Sequence, residues 1–131
     1  MTTKEFEKYL ESIGGLENGY FSDRPAITTN ICECDDGWLQ MIADLIAELL
    51  VAGWNKQICQ IKEKLGGLRF YINSGSDEVH EIISKYEELS YSTCEVCGEA
   101  GEIRKDCGWH GSRWYKTMCD SHYNELKTER Q

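Results

Sequence analysis

The sequence predicts an α+β fold: helices packed on a β-hairpin or small antiparallel sheet, followed by a C-terminal zinc-ribbon-like module. Three observations predict it. Residues 37–52 carry an apolar face too wide for a surface helix, two β-rich runs flank Gly66-Gly67, and a Cys-x-x-Cys gap is answered by a later Cys-x-x-His gap. Residues 1–92 form the core in this reading, and residues 93–131 form the ribbon with a short terminal helix.

The elements follow in order. Phe6, Tyr9, Leu10 and Ile13 share one stripe of a helix over 3–13, which Gly14-Gly15 ends. Gly, Asn and the single Pro punctuate residues 14–35, which read as a loop with a short strand near 27–32. Asp35 or Asp36 is placed to cap the next helix, 37–52. There Trp38, Ile42, Leu45 and Leu49 form one row and Leu39, Ile46 and Leu50 a second, so this helix belongs in the core. The hairpin covers 56–73, with Leu68, Phe70 and Ile72 on its apolar face and Arg69 and Tyr71 on the other, because side chains alternate along a strand. Cys59 alternates with Ile61 and is assigned to the core. Ser76 or Asp77 then opens a helix over 77–91, buried along Val79, Ile82, Ile83, Tyr86 and Leu89, with acids in the first turn where the helix dipole favours them. His80 is expected at the surface.

At 131 residues, 40% of them hydrophobic, the chain is long enough to bury a core. Its longest apolar run is broken by Asp44 and Glu48, and its charged amphipathic start is unlike a signal peptide. The reading is a soluble intracellular protein with no membrane partner. The net charge of −9 is unevenly spread: three basic against ten acidic side chains over 1–53, four against one over 54–73, and seven against twelve over 74–131. Duplex nucleic acid needs a broad basic face to neutralise phosphates and is not an expected partner. A local positive pocket on the middle segment is compatible with this distribution.

Seven cysteines in a reducing compartment read as metal ligands or small buried side chains. "CEVCG" has the shape of a knuckle, whose two thiolates reach one ion from a tight turn that Gly permits. Cys94, Cys97, Cys119 and His122 are the preferred ligand set, for a structural Zn²⁺ with every position filled. Cys107 and His110 repeat the Cys-x-x-His gap and remain the alternative second half. The flanks favour the former, since "WYKTM" leads into Cys119 as a strand and "SHYNEL" leaves it as a helix. Cys32-x-Cys34 points to opposite faces of an extended chain and reads as a loop edge. No Pro-Cys-x-x-Cys with a His-x-Glu is present, which argues against deaminase chemistry.

Arg69 and Tyr71 with Lys62 and Lys64, and Arg113 with Trp114 and Tyr115, set cations beside aromatic rings. Such groups grip a phosphate and stack a base, although an ordinary solvated strand face has the same composition.

"CDDGWLQMIADL", "QIKEKLGGLRFYI" and "TCEVCG…CDSH" together resemble a group of small, uncharacterised bacteriophage and prophage proteins. These share a Gly-Trp helix start, an Ile-Lys-Glu-Lys-x-Gly-Gly-Leu-Arg-Phe-Tyr hairpin and a terminal zinc knuckle pair. The resemblance spans about residues 32–122, with Leu65 standing where Phe is expected, and it supports Cys119 and His122. It implies a phage context, hence the cytoplasm of a bacterial host, and no particular activity. The expected function is binding, with sequestration of a nucleotide-derived host immune signal ranked first. A protein-docking adaptor or inhibitor of a host defence protein ranks second, and a metal-dependent nuclease or nucleotide hydrolase third. The wide apolar face of the 37–52 helix leaves room for a homo-oligomer.

Overall fold

A computed structural model describes residues 1–18 and 32–131. The part of the expected strand before Cys32 lies outside the described residues. Helix α1 (Thr3–Ile13) opens with a capping box, in which Thr2 Oγ1 accepts from the Glu5 N–H at 3.1 Å and Glu5 accepts from the Thr2 N–H at 3.0 Å. β1 (Glu17–Asn18) and β2 (Cys32–Glu33) precede a 3-10 turn, Asp36–Trp38, which runs into α2 (Leu39–Val51). Neither expected aspartate caps this start through its side chain; the Asp35 N–H instead donates to Glu95 Oε2 at 2.9 Å. β3 (Gln57–Ile58), β4 (Gln60–Lys64) and β5 (Gly67–Tyr71) follow, then α3 (Asp77–Ser90), capped by Ser76. The chain closes with β6 (Glu102–Arg104), β7 (Lys116–Met118) and α4 (Asp120–Glu129).

The fold is α+β, and its central sheet is mixed, in the order β2-β4-β5. β4 and β5 pair antiparallel with Lys62 opposite Arg69, while β2 runs parallel to β4 with Cys32 opposite Ile61. Ile61, Leu68 and Phe70 lie in the core with Trp38, Ile42, Leu45, Ile46 and Leu49 of the α2 region and Val79, Ile83 and Tyr86 of α3. A fully buried aliphatic side chain contributes roughly 1.5–3 kcal/mol, so this shared core dominates the stability. Cys59 is only half-buried. Its N–H bonds the Tyr71 carbonyl at 2.8 Å although Gln60 is the residue paired with Tyr71. Two residues therefore face one, and this bulge shifts Cys59 off the core face that alternation assigned to it.

The hairpin turn falls one residue before the glycine pair. Leu65 and Gly66 both have positive φ, +54° and +85°, and Gly67 already belongs to β5. At Gly67 a side chain would run into the Tyr91 ring. Two residues of positive φ form the turn whose twist matches a two-residue hairpin, where Asn-Gly is the usual choice. Leucine accepts the left-handed backbone at about 1–2 kcal/mol.

Among the described residues β5 is an edge strand, and side chains of α3 occupy its outward N–H groups. Leu68 donates to Ser90 Oγ at 2.9 Å, and Phe70 donates to Glu87 Oε2 at 3.0 Å. Ser90 is fully buried and passes its own proton to the Glu87 carbonyl. Ser90→Ala strands the Leu68 N–H without water or partner. It should cost about 1–3 kcal/mol, read as a lowered denaturant midpoint with an unchanged slope.

Candidate metal centre and recognition cleft

Residues 94–98 make a tight turn in which the Gly98 N–H bonds the Cys94 carbonyl at 2.8 Å and Gly98 has φ +81°. This turn presents Cys94 and Cys97. β7 delivers Cys119 to the N-cap of α4, and one turn later His122 faces back to it, its N–H 3.5 Å from Cys119 Sγ. The four donor atoms lie within 4.8 Å of one another. Cys97 Sγ is 3.9 Å from Cys119 Sγ, and His122 Nδ1 is 3.2 Å from Cys119 Sγ and 3.8 Å from Cys94 Sγ. Metal–sulfur bonds of about 2.3 Å at tetrahedral angles place two sulfurs about 3.8 Å apart, so the set fits a closed four-coordinate metal site. Burial raises the Cys94 thiol, but N–H groups of Cys119, Cys97 and Val96 outweigh it and bring the pKa down to about 7. The Cys97 thiol moves the other way, up to about 11, where the Glu99 N–H is outweighed by burial, by hydrogen bonds with Cys94 and Cys119 and by the nearby Cys94 thiolate. Of these two knuckle thiols, Cys94 is the one held toward the thiolate that a cation requires.

Cys107 and His110 lie elsewhere. Cys107 is buried with its thiol 3.8 Å from the Arg104 carbonyl, and the Cys107 carbonyl accepts from the Arg130 guanidinium at 2.7 Å. His110 is exposed, at φ +58°, and gives its N–H to the Arg130 carbonyl at 2.7 Å. Both belong to a loop tied down by α4, where Tyr123 and Lys127 bond Asp106. The Cys34 thiol, by contrast, is held in its protonated form by a hydrogen bond with Cys32 and by burial, and both cysteines pack against the core.

The knuckle is docked on the core backbone to backbone. Gly37 donates to the Glu95 carbonyl at 2.7 Å, and a Cβ at Gly37 would sit 2.6 Å from the Cys94 carbonyl oxygen. A Cβ at Gly98 would in turn lie 2.9 Å from the Gly37 oxygen. Trp38, fully buried, donates through Nε1 to the Thr93 carbonyl at 2.9 Å. Glu95, between the two knuckle cysteines, is 2% exposed. Burial holds its carboxyl above the usual range, against the Asp35 N–H and the Lys116 ammonium 3.6 Å away, which favour the ionised form. Glu95 and Gly37 escaped the reading of sequence spacing, since neither is a ligand and their partners are remote along the chain.

The second group of candidates is divided by the structure. Arg113, Trp114 and Tyr115 line one cavity of about 540 Å³ together with Glu63 and Leu65 of the hairpin. The Trp114 backbone is pinned on both sides, accepting from the Cys107 N–H at 3.0 Å and donating to the Lys105 carbonyl at 3.1 Å. Arg113 Nε donates to the Tyr115 hydroxyl at 3.0 Å, with the guanidinium 5.3 Å from that ring's centre. Thr117 Oγ1, fully buried, donates to the Gly66 carbonyl at 2.7 Å and so binds the hairpin turn to the ribbon. Lys62, Lys64, Arg69 and Tyr71 are not among the lining residues. Arg69 donates to the Tyr91 hydroxyl at 3.0 Å and the Leu68 carbonyl at 2.9 Å, and Lys62 lies 5.9 Å from the centre of the Tyr71 ring. Leu65 had a sequence signal: an apolar residue standing before a turn glycine where Asn or Asp is usual.

Among the described residues, no helix is long and apolar enough to cross a membrane. No protein-family model, curated protein or solved structure matches the chain.

Gly37→Ala puts a methyl group against the Cys94 and Glu95 carbonyls, which cannot both retreat without breaking the knuckle contact. The expected cost is about 1–3 kcal/mol of overpacking, with a lowered affinity for a divalent cation. Parallel denaturation and competition with a chromogenic chelator measure the two effects.

Proposed function

We propose that this chain is a zinc-stabilised binding protein, in which a structural Zn²⁺ holds the C-terminal ribbon and the cleft between hairpin and ribbon captures a nucleotide-type ligand. The support for zinc is the donor set, three thiolates and an imidazole at tetrahedral spacing. A site whose four positions are all filled by side chains acts structurally, because no position is left to activate water. Among the described residues the buried apolar ones packed around this end of the chain are few, Cys94, Cys107, Met118 and Leu126, so ion binding supplies a large share of the module's folding energy.

The observation that carries the binding reading is the cleft itself. Trp114 is 57% exposed yet fixed by its backbone, Arg113 lies beside it, and the cavity volume falls within the range of small-molecule sites. An exposed indole on a pinned backbone offers a stacking surface for a flat base, and a guanidinium next to it offers a forked donor for phosphate. In the phage setting that the resemblance implies, such capture would deprive a host defence of a nucleotide-derived signal. A second reading, a docking adaptor for a host protein, is favoured by the exposure of Leu65 at 63% alongside Trp114.

Native mass spectrometry of freshly isolated protein should show one zinc per chain. Chelation should disorder residues 93–131 while the helices of the core persist, as followed by hydrogen exchange. Absence of zinc, with the ribbon still protected after chelation, would overturn the structural-ion reading. Calorimetric titration with AMP and with cyclic nucleotides tests the cleft. Trp114→Ala should weaken binding by roughly tenfold or more, and Arg113→Ala should weaken phosphorylated ligands more than the free nucleoside. No heat of binding with any of these ligands would leave the adaptor as the better account.

A further inference from the structure

The cleft has one wall from the ribbon and one from the hairpin, and the hairpin wall is unusual. Leu65 sits at the first central position of a two-residue turn, at φ +54°, and is 63% exposed. Both features count against a leucine there. The left-handed backbone suits Asn, Asp or Gly, and an exposed isobutyl group gains nothing from folding. Backbone strain kept at a surface position is a reason to look for function.

The turn is also rigid. Glu63 Oε2 accepts from the Gly66 N–H at 2.7 Å, and the Gly66 carbonyl accepts from buried Thr117 at 2.7 Å. A side chain at Gly66 would press on Ile103 at 3.2 Å, so the turn lies close against the ribbon. The direction in which Leu65 leaves the backbone is therefore set by contacts on both sides. It lines the same cavity as Trp114 and Arg113. Two apolar side chains on pinned backbone, from different halves of the molecule, border one space whose charged lining residues are Arg113 and Glu63.

Resting on the cleft reading above, we infer that Leu65 is a specificity-determining residue. Its side chain forms the apolar wall opposed to the stacking surface of Trp114, and selects ligands with a planar ring carrying an anionic group. The turn gives up local stability to place it there. Lys62, Lys64 and Arg69 take no part in this selection, being outside the lining.

The experiment compares wild type, Leu65→Asn, Leu65→Met and Trp114→Ala, each titrated with AMP by calorimetry and melted without ligand. Leu65→Asn relieves the backbone and should melt a few degrees higher, while losing roughly tenfold in AMP affinity. Leu65→Met keeps an apolar wall and should bind within about twofold of wild type. If Trp114→Ala loses AMP and Leu65→Asn does not, the inference about Leu65 fails and the cleft reading stands. If wild type does not bind AMP, the inference about Leu65 fails, and if it binds no cyclic nucleotide either, or Trp114→Ala binds as well as wild type, the cleft reading fails with it. A lower melting temperature for Leu65→Asn would show that Leu65 serves the fold, and would also overturn the inference.

Discussion

The contact between Gly37 and the Cys94–Glu95 peptide holds this molecule together as one structure. Where the knuckle meets the 3-10 turn ahead of α2, carbonyl and N–H groups approach so closely that neither Gly37 nor Gly98 has room for a side chain. The 3-10 turn places Trp38 under the knuckle, and the knuckle places Cys94 and Cys97 over the turn. Metal ligands and hydrophobic core are therefore positioned by the same few backbone groups. Disordering of the ribbon would leave the Gly37 N–H and the Trp38 indole N–H of the persisting core without their partners.

β7 extends this connection outward. In three consecutive residues Lys116 reaches the buried carboxylate of Glu95, Thr117 bonds the hairpin turn, and Met118 gives its carbonyl to Arg104. The next residue, Cys119, is a member of the donor cluster. A strand of three residues thus touches the knuckle, the hairpin and the opposite ribbon strand, and leads directly into the donor set. Glu95 is the costly member of the arrangement, since a carboxylate withdrawn from water needs compensation. Lys116 and the Asp35 N–H supply part of it, and burial still holds the carboxyl above its usual range.

What could be read from the sequence was whatever is written locally. The stripes of α1, α2 and α3 follow the helical period, except that Leu89 near the end of α3 is exposed and not buried as expected; the Ser76 cap precedes its helix, and the equal gaps of Cys94-x-x-Cys97 and Cys119-x-x-His122 state a ligand geometry that four nearby residues can meet. The features that escaped depend on partners far along the chain. Asp35 makes no cap; its carboxylate lies 3.7 Å from Lys116 and its N–H donates to Glu95, sixty residues on. Arg69 turns toward Tyr91, which no strand pattern reveals. The turn settles on Leu65-Gly66 because Gly67 is needed where the Tyr91 ring approaches the strand. Alternation carried Cys59 to the wrong face because a bulge breaks the period.

The two α3 side chains on β5 have a wider consequence. An edge strand with free amide groups invites another strand to add alongside it, whether from a binding partner or from a second misfolding chain. Here Ser90 and Glu87 have already taken the places such a strand would occupy. Recognition by strand addition is blocked on this side, and so is the first step of edge-to-edge aggregation. A small protein can thus keep a strained turn and an exposed Trp114 in contact with water without offering this edge of its sheet as a template.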